Sequence, residues 1–204
     1  MSTSKTKPSA TLDRVSSAKQ RILQAVLTLL ARRGNAEVSM AEIARAAGIS
    51  RQALYLHFPE RSALFIALAA FADEHRGLAS ELDRVHNAPS GLAALEAFVT
   101  LQARMNPGIW AVARSVDAVR RRDQAAEAAW QNRLRNRLAT CRRIIKKLNQ
   151  DGALRTGLNS DIAVDLLWTI TSLRTWEDLV LERKWPAEVY RTHVMDILSR
   201  SLLK

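Results

Sequence analysis

The chain has 204 residues, 48% of them hydrophobic, with 31 Lys and Arg against 20 Asp and Glu and a formal net charge of +11. That length makes one large domain or two small ones with ample material for a core, and the charge points to an acidic partner. A single cysteine, Cys141, excludes an internal disulfide framework and a cysteine-rich metal site, and a reducing cytoplasm fits it.

The longest apolar run, Ala63 to Ala72, is too short to span a bilayer, and the N-terminus lacks the apolar core of a signal peptide, so no membrane partner is expected. Residues 1–65 carry ten Lys and Arg against four Asp and Glu, which makes this stretch more basic per residue than the remainder. Residues 1–16, rich in Ser, Thr, Lys and Pro, are expected to form a disordered tail, either a plain flexible terminus or a basic arm. A first helix is predicted from about Ser17 to Arg33, with Ile22, Val26, Leu29 and Leu30 inward and Gly34 at its end.

Val38 to Phe58 has the layout of a helix-turn-helix. Ser39 is an N-cap and Glu42 completes a capping box, with Val38 and Ile43 placed as a hydrophobic staple. Ile43, Ala44 and Ala47 form the inner face of the first motif helix, and Gly48 tolerates the left-handed conformation that ends it. Ile49 plugs the turn and Ser50 caps the second motif helix, whose Leu54 and Phe58 point back to the core. Arg51, Gln52, Ala53, Tyr55 and Leu56 are left on or beside its outer face, and Pro59 stops it.

The pattern Gly48-Ile49-Ser50, then Leu54-Tyr55-Leu56-His57-Phe58-Pro59, then Arg61-Ser62-Ala63-Leu64 resembles the DNA-binding domain of the tetracycline-repressor (TetR) family, over roughly Ser17 to Leu68. The resemblance implies a homodimeric, all-helical, ligand-responsive transcription regulator on a palindromic double-stranded DNA operator. The expected DNA-contacting set is Ser39, Ser50, Arg51, Gln52, Ala53, Tyr55, His57 and Arg61. Arg51 and Gln52 have the reach for base edges, while Ser50, Tyr55, His57 and Arg61 are expected to hold phosphates. Two departures stand out. Arg61 replaces the more usual lysine, and Ala53 sits where the family often has a hydroxyl that contacts DNA.

A long fourth helix is predicted from Glu60 towards Val85, burying Leu64, Phe65, Leu68 and Phe71. After Pro89-Ser90-Gly91 a fifth helix runs to about Met105 with Leu92, Leu95, Phe98 and Val99 inward. Asn106-Pro107 reads as the cap and first position of a sixth helix towards Val119. The seventh carries Trp130, Leu134, Leu138, Cys141, Ile145 and Leu148 on one stripe and ends at Gly152. An eighth helix is predicted from Ser160 to about Arg183, with Ile162, Leu166, Ile170 and Leu173 as one stripe, widened by Leu167, Trp168, Trp176, Leu179 and Val180. The ninth opens with Pro186 and continues through Val189, Tyr190, Val194, Ile197 and Leu198. The last two carry more apolar surface than one face needs, which suggests a subunit interface; the resemblance implies a four-helix bundle made by the eighth and ninth helices of both copies.

The sequence offers little to catalysis. His75 and His86 are too far apart along a helix to share a metal, and no phosphate-binding glycine loop or nucleophile elbow is present, so no catalytic residue, cofactor or metal is expected. Cys141 belongs to an apolar stripe. Residues 114–147 hold eleven Lys and Arg against three Asp and Glu. A solvated face accounts for most of them; an anionic ligand or a second DNA contact are the alternatives, and Arg120-Arg121-Arg122 fits periodicity least. The tryptophans admit two readings, ordinary core or an aromatic-lined cavity. The resemblance favours a pocket for a small apolar effector, with Met105, Trp110, Trp130 and Trp168 lining it and Arg114 and Asp117 orienting its ligand.

The expected fold is all-α with about nine helices: a tail over 1–16, a DNA-binding domain over 17–60, and an effector-binding, dimerising domain over 61–204. The expected function is a cytoplasmic, sequence-specific DNA-binding regulator, in the first place a repressor released by its effector. A constitutive DNA-binding or architectural protein and a small helical enzyme are the alternatives.

Overall fold

The computed structural model describes the backbone of residues 10–33 and 38–204, with side chains from residue 18 onward. Tail residues 1–9 and the Gly34 stop lie outside the described residues. Among the described residues there are ten α-helices and one π-helical segment, with no strand beyond an isolated antiparallel bridge between Leu154 and Leu203. None of these helices is long and apolar enough to cross a membrane.

Contacts divide the chain into two units. The first runs to Ala72 and includes Ala111–Ala126; the second is Asp73–Trp110 with Glu127–Lys204. The division therefore falls after Ala72 and not at residue 60, and the first unit takes in a later segment that no linker composition announces.

In the first unit, α1 (Ala10–Arg33) begins earlier than expected, so 10–16 are helical and not part of a tail. Ile22, Leu23, Val26 and Leu30 are its buried face. It packs against α2 (Met40–Ala46), which packs against α3 (Arg51–His57). The apolar start of α4 (Arg61–His75) adds Leu64, Phe65 and Leu68, and the Ala111–Ala126 segment adds Val112, Val116 and Ala126 to the buried set.

The predicted fourth helix is two helices. Gly77, at φ +68, ends α4 and opens α5 (Leu78–His86), because a left-handed residue cannot continue an α-helix. The expected break at Asn106-Pro107 does not occur. α6 is continuous over Gly91–Arg120 with Pro107 inside it, and the burial of Leu101, Met105, Val112 and Val116 on both sides outweighs the lost hydrogen bond. Leu92, expected inward, is 41% exposed, while Leu95, Phe98 and Val99 are buried.

α7 (Gln124–Gln150) buries Cys141, Ile144, Ile145 and Leu148. The predicted eighth helix is α8 (Ser160–Ile170), α9 (Leu173–Trp176) and a π-helical segment, Glu177–Glu182. Thr171 and Ser172 break it: the Ser172 hydroxyl accepts the Thr175 N–H at 3.0 Å and starts a new turn. The buried face of α8 is Ala163, Val164 and Leu167, rotated from the expected stripe, so Ile162 is 55% exposed. α10 (Ala187–Leu202) buries Tyr190, Val194 and Leu198 and leaves Val189 and Ile197 exposed. It packs against α8 and the π-helical segment.

Candidate nucleic-acid interface

The geometry of α2 and α3 follows from short-range chemistry. Ser39 is extended (φ −84°, ψ 157°); its hydroxyl accepts the Glu42 N–H at 3.2 Å, and the Glu42 carboxylate accepts the Ser39 N–H at 2.8 Å. Each group satisfies an otherwise orphaned helix-end donor. Arg33, at the end of α1, reaches the same carboxylate at 2.6 Å. The Ser39 backbone N–H, then its hydroxyl, then Arg33 hold the Glu42 carboxyl down to about 2.

Gly48 (φ +66) closes α2. Its N–H donates to Arg45 O at 3.1 Å and the Ile49 N–H donates to Ala44 O at 3.0 Å, the paired bonds of a Schellman stop. Ser50 then caps α3, its hydroxyl accepting the Ala53 N–H at 3.0 Å. One stop and one cap join the two helices without a long loop. Leu54 and Phe58 are buried, so the opposite side of α3 faces out.

Of the expected contact residues, Arg51, Gln52, Ala53, Tyr55 and His57 lie on α3, Ser50 caps it, Ser39 caps α2 and Arg61 opens α4. Arg51 and Gln52 are exposed and Ala53 is half-buried. Arg51 lies over the Tyr55 ring, 5.7 Å from its centroid, a contact that stiffens both side chains. Leu56 is 81% exposed, an apolar residue on an otherwise polar face. His57 is half-buried in the last turn. Arg61 is half-buried, its guanidinium 5.0 Å from the Phe65 ring centroid and its Nε buried without an acceptor. Ser39 differs from the rest: its hydroxyl and its N–H both donate to Glu42, so a phosphate there has to displace a carboxylate.

Arg120-Arg121-Arg122 belongs to this unit. Arg120 donates to Asp117 at 2.5 Å, while Arg121 and Arg122 are exposed. Asp123 accepts the Ala126 N–H at 2.9 Å at the start of α7, and the Ser62 hydroxyl followed by that N–H holds its pKa low.

The expected effector-site residues are divided between the units. Met105 is buried, and Trp110, Trp130 and Trp168 are half-buried, all in the second unit. Arg114 and Asp117 belong to the first, where they lie 3.6 Å apart as an ion pair. Reading the sequence also missed Arg137 and Tyr190 of the second unit. The Arg137 Nη2 donates to the Trp168 carbonyl and, at 2.7 Å, to the Thr171 hydroxyl, with the guanidinium 5.2 Å from the Trp168 ring centroid. The signal was present: Arg137 is seven residues after Trp130 and four before Cys141, on the apolar stripe itself.

Residues 22–68 match the family described as "Bacterial regulatory proteins, tetR family". The nucleoid occlusion factor SlmA of Marinobacter nauticus is 30% identical over 144 residues, 70% of this chain and 71% of that protein. SlmA of a Marinomonas species is 34% identical over 95 residues, 45% of this chain and 47% of that one. Apart from the Marinobacter protein, the chain spans about half the length, or less, of the curated relatives it matches. The crystal structure of a transcriptional regulator from Saccharomonospora viridis, in complex with choline, superposes with a TM-score of 0.78 at 19% identity, covering 93% of this chain and 99% of that one; it establishes a shared fold.

Proposed function

The chain belongs to the tetR family of bacterial regulatory proteins, and from that premise we propose that it is a cytoplasmic, sequence-specific DNA-binding transcription regulator, a repressor that a small-molecule effector releases from a palindromic operator. The observation that carries this reading is α3: a helix N-capped by Ser50 whose outward face presents Arg51, Gln52 and Tyr55. Arg51 and Gln52 read base edges in the major groove. Ser50, Tyr55, His57 and Arg61 hold phosphates, and the orphaned Arg61 Nε is a donor in search of an acceptor. Ala53 packs beside them without a polar contact, and Ser39 contributes by fixing α2.

One module has few contacts, so paired half-sites require a homodimer. Ile162 on α8 with Val189 and Ile197 on α10 are large apolar side chains that the protomer's own core does not cover, and they support an interface through these helices. Effector binding in the second unit, near Met105, Trp110, Trp130 and Trp168, favours a dimer whose recognition helices no longer match the half-site spacing. Selection from random duplexes tests the reading: a two-fold symmetric sequence is expected, and recovery of unrelated sequences contradicts it.

A second reading rests on the 144-residue match to a protein named a nucleoid occlusion factor. In it the same α3 binds DNA constitutively and no compound alters affinity. A compound that binds the second unit and lowers operator affinity separates the two.

A further inference from the structure

The second unit contains a half-buried cation, Arg137, with no counter-charge among the described residues. Arg133 forks onto Asp73, with bonds of 2.5 and 3.0 Å. One turn later, Arg137 meets no carboxylate among the described residues. Its polar partners are the Trp168 carbonyl and the Thr171 hydroxyl, both on one nitrogen, Nη2, while its Nε is buried with no acceptor. The titratable groups that its charge acts on are Cys141 and Tyr190. Burial pushes the Cys141 thiol up to about 11 and the Tyr190 phenol up to about 12, so both stay neutral and neither can balance the guanidinium. Burial also draws the Arg137 pKa down, the mark of a charge that lacks compensation.

The orphaned atoms of this unit share one chemical character. Arg137 Nε, Trp168 Nε1 and Tyr190 Oη are buried without a partner, as are Trp110 Nε1, Trp176 Nε1 and Asn106 Nδ2. Every one can donate, and apart from the phenol oxygen none can accept. A ligand that satisfies them brings acceptor oxygens, and beside Arg137 it brings negative charge. A structural role for Arg137 accounts for only part of this. The break after Ile170 frees the Trp168 carbonyl, because the Ser172 N–H turns to Thr169 O instead, and Arg137 caps that carbonyl. One neutral donor suffices for such a cap; it explains neither the guanidinium nor the unpartnered Nε–H.

We propose that Arg137, with the Tyr190 hydroxyl and the Trp168 indole N–H, binds the carboxylate of a monoanionic organic acid whose apolar body lies in the core of the second unit. A carboxylate accepts from the unpartnered Arg137 Nε–H with one oxygen and from the phenol with the other. One cation balances one charge, and a phosphate dianion leaves a net negative charge among Trp168, Cys141 and Tyr190. This names the effector class and rests on the regulator reading for its effect on DNA, though not for binding itself.

The test uses the full chain and two sets of probes, decanoate with decan-1-ol and decylamine, and 2-naphthylacetate with its alcohol and amine. Binding is read by calorimetry and tryptophan emission without DNA. At least one acid is expected to bind tenfold or more tightly than its alcohol and its amine. Arg137→Met is expected to weaken that acid at least tenfold while leaving the alcohol unchanged, with its melting temperature measured alongside because the Trp168 carbonyl loses its donor. Should Arg137→Met fail to fold, Tyr190→Phe serves in its place and is expected to weaken the acid several-fold and the alcohol not at all. No acid preference in the wild type, or an undiminished preference in the folded variant, overturns the proposal. An acid that binds as expected yet leaves operator affinity unchanged upholds the carboxylate site and removes the effector reading alone.

Discussion

The two units are held by interactions of different range. In the first, the groups that set the angle between α2 and α3 sit three to five residues apart: Ser39 with Glu42, Ser50 with Ala53, and Ile49 with Ala44. In the second, the defining polar contacts join residues far apart in sequence. Asp73 with Arg133 and Gly91 with Asp151 are each separated by 60 positions, and Arg137 with Thr171 by 34. A short-range scaffold holds a reading surface of fixed geometry. A long-range one ties together segments distant in sequence, so its geometry depends on the packing of whole helices.

The largest expected effect separates core from interface on α10. Leu198 is fully buried and Ile197 is 45% exposed. Leu198→Asp puts an unpaired charge in the core and is expected to cost more than about 3 kcal/mol, unfolding the second unit. Ile197→Asp is expected to change stability by no more than about 0.5 kcal/mol and to yield a folded monomer in sedimentation. A folded dimer of Ile197→Asp removes α10 from the interface.

Gly91→Ala probes the long-range scaffold. An added Cβ meets the Leu148 backbone nitrogen at 2.5 Å, beside the 2.6 Å bond from the Gly91 N–H to Asp151. The expected cost is about 1–3 kcal/mol in chemical denaturation. A neutral result means that α6 and α7 separate freely there.

The smallest effect sharpens the short-range side. The Glu42 carboxyl titrates near 2 when folded against 4.5 when free. A depressed folded value means that its contribution is complete above 4.5 and is lost as pH falls from there through about 2. Carboxyl titration by NMR is expected to show this midpoint, and Glu42→Gln to flatten the acid limb of the stability curve. A Glu42 midpoint near 4.5 means that the capping box is open in solution.

What could be read from the sequence follows the same division. Ser39, Glu42, Gly48 and Ser50 act on neighbours a few residues away, so the sequence displays both partners together, and the caps, the stop and the outward face of α3 are where it placed them. The helix breaks escaped it. Pro107 looks like a start and lies mid-helix, with the buried side chains of Met105 and Val112 on either side of it in sequence. Thr171–Ser172 looks helical and breaks, with Arg137 from α7 taking up the freed carbonyl. Arg137 itself was hidden in a run of arginines that reads as a solvated face, although its spacing puts it on the apolar stripe.

The central claim is that α3 reads DNA, and the division of labour between Arg51 and Arg61 tests it most directly. Operator affinity is measured for wild type, Arg51→Ala and Arg61→Ala across single-base variants and a series of salt concentrations. Arg51→Ala is expected to lose about 1–3 kcal/mol and to relax preference at one base pair per half-site. Arg61→Ala is expected to weaken every sequence alike and to reduce the salt slope by about 1 per monomer. If both variants bind with wild-type affinity, preference and salt slope, the recognition surface is not α3.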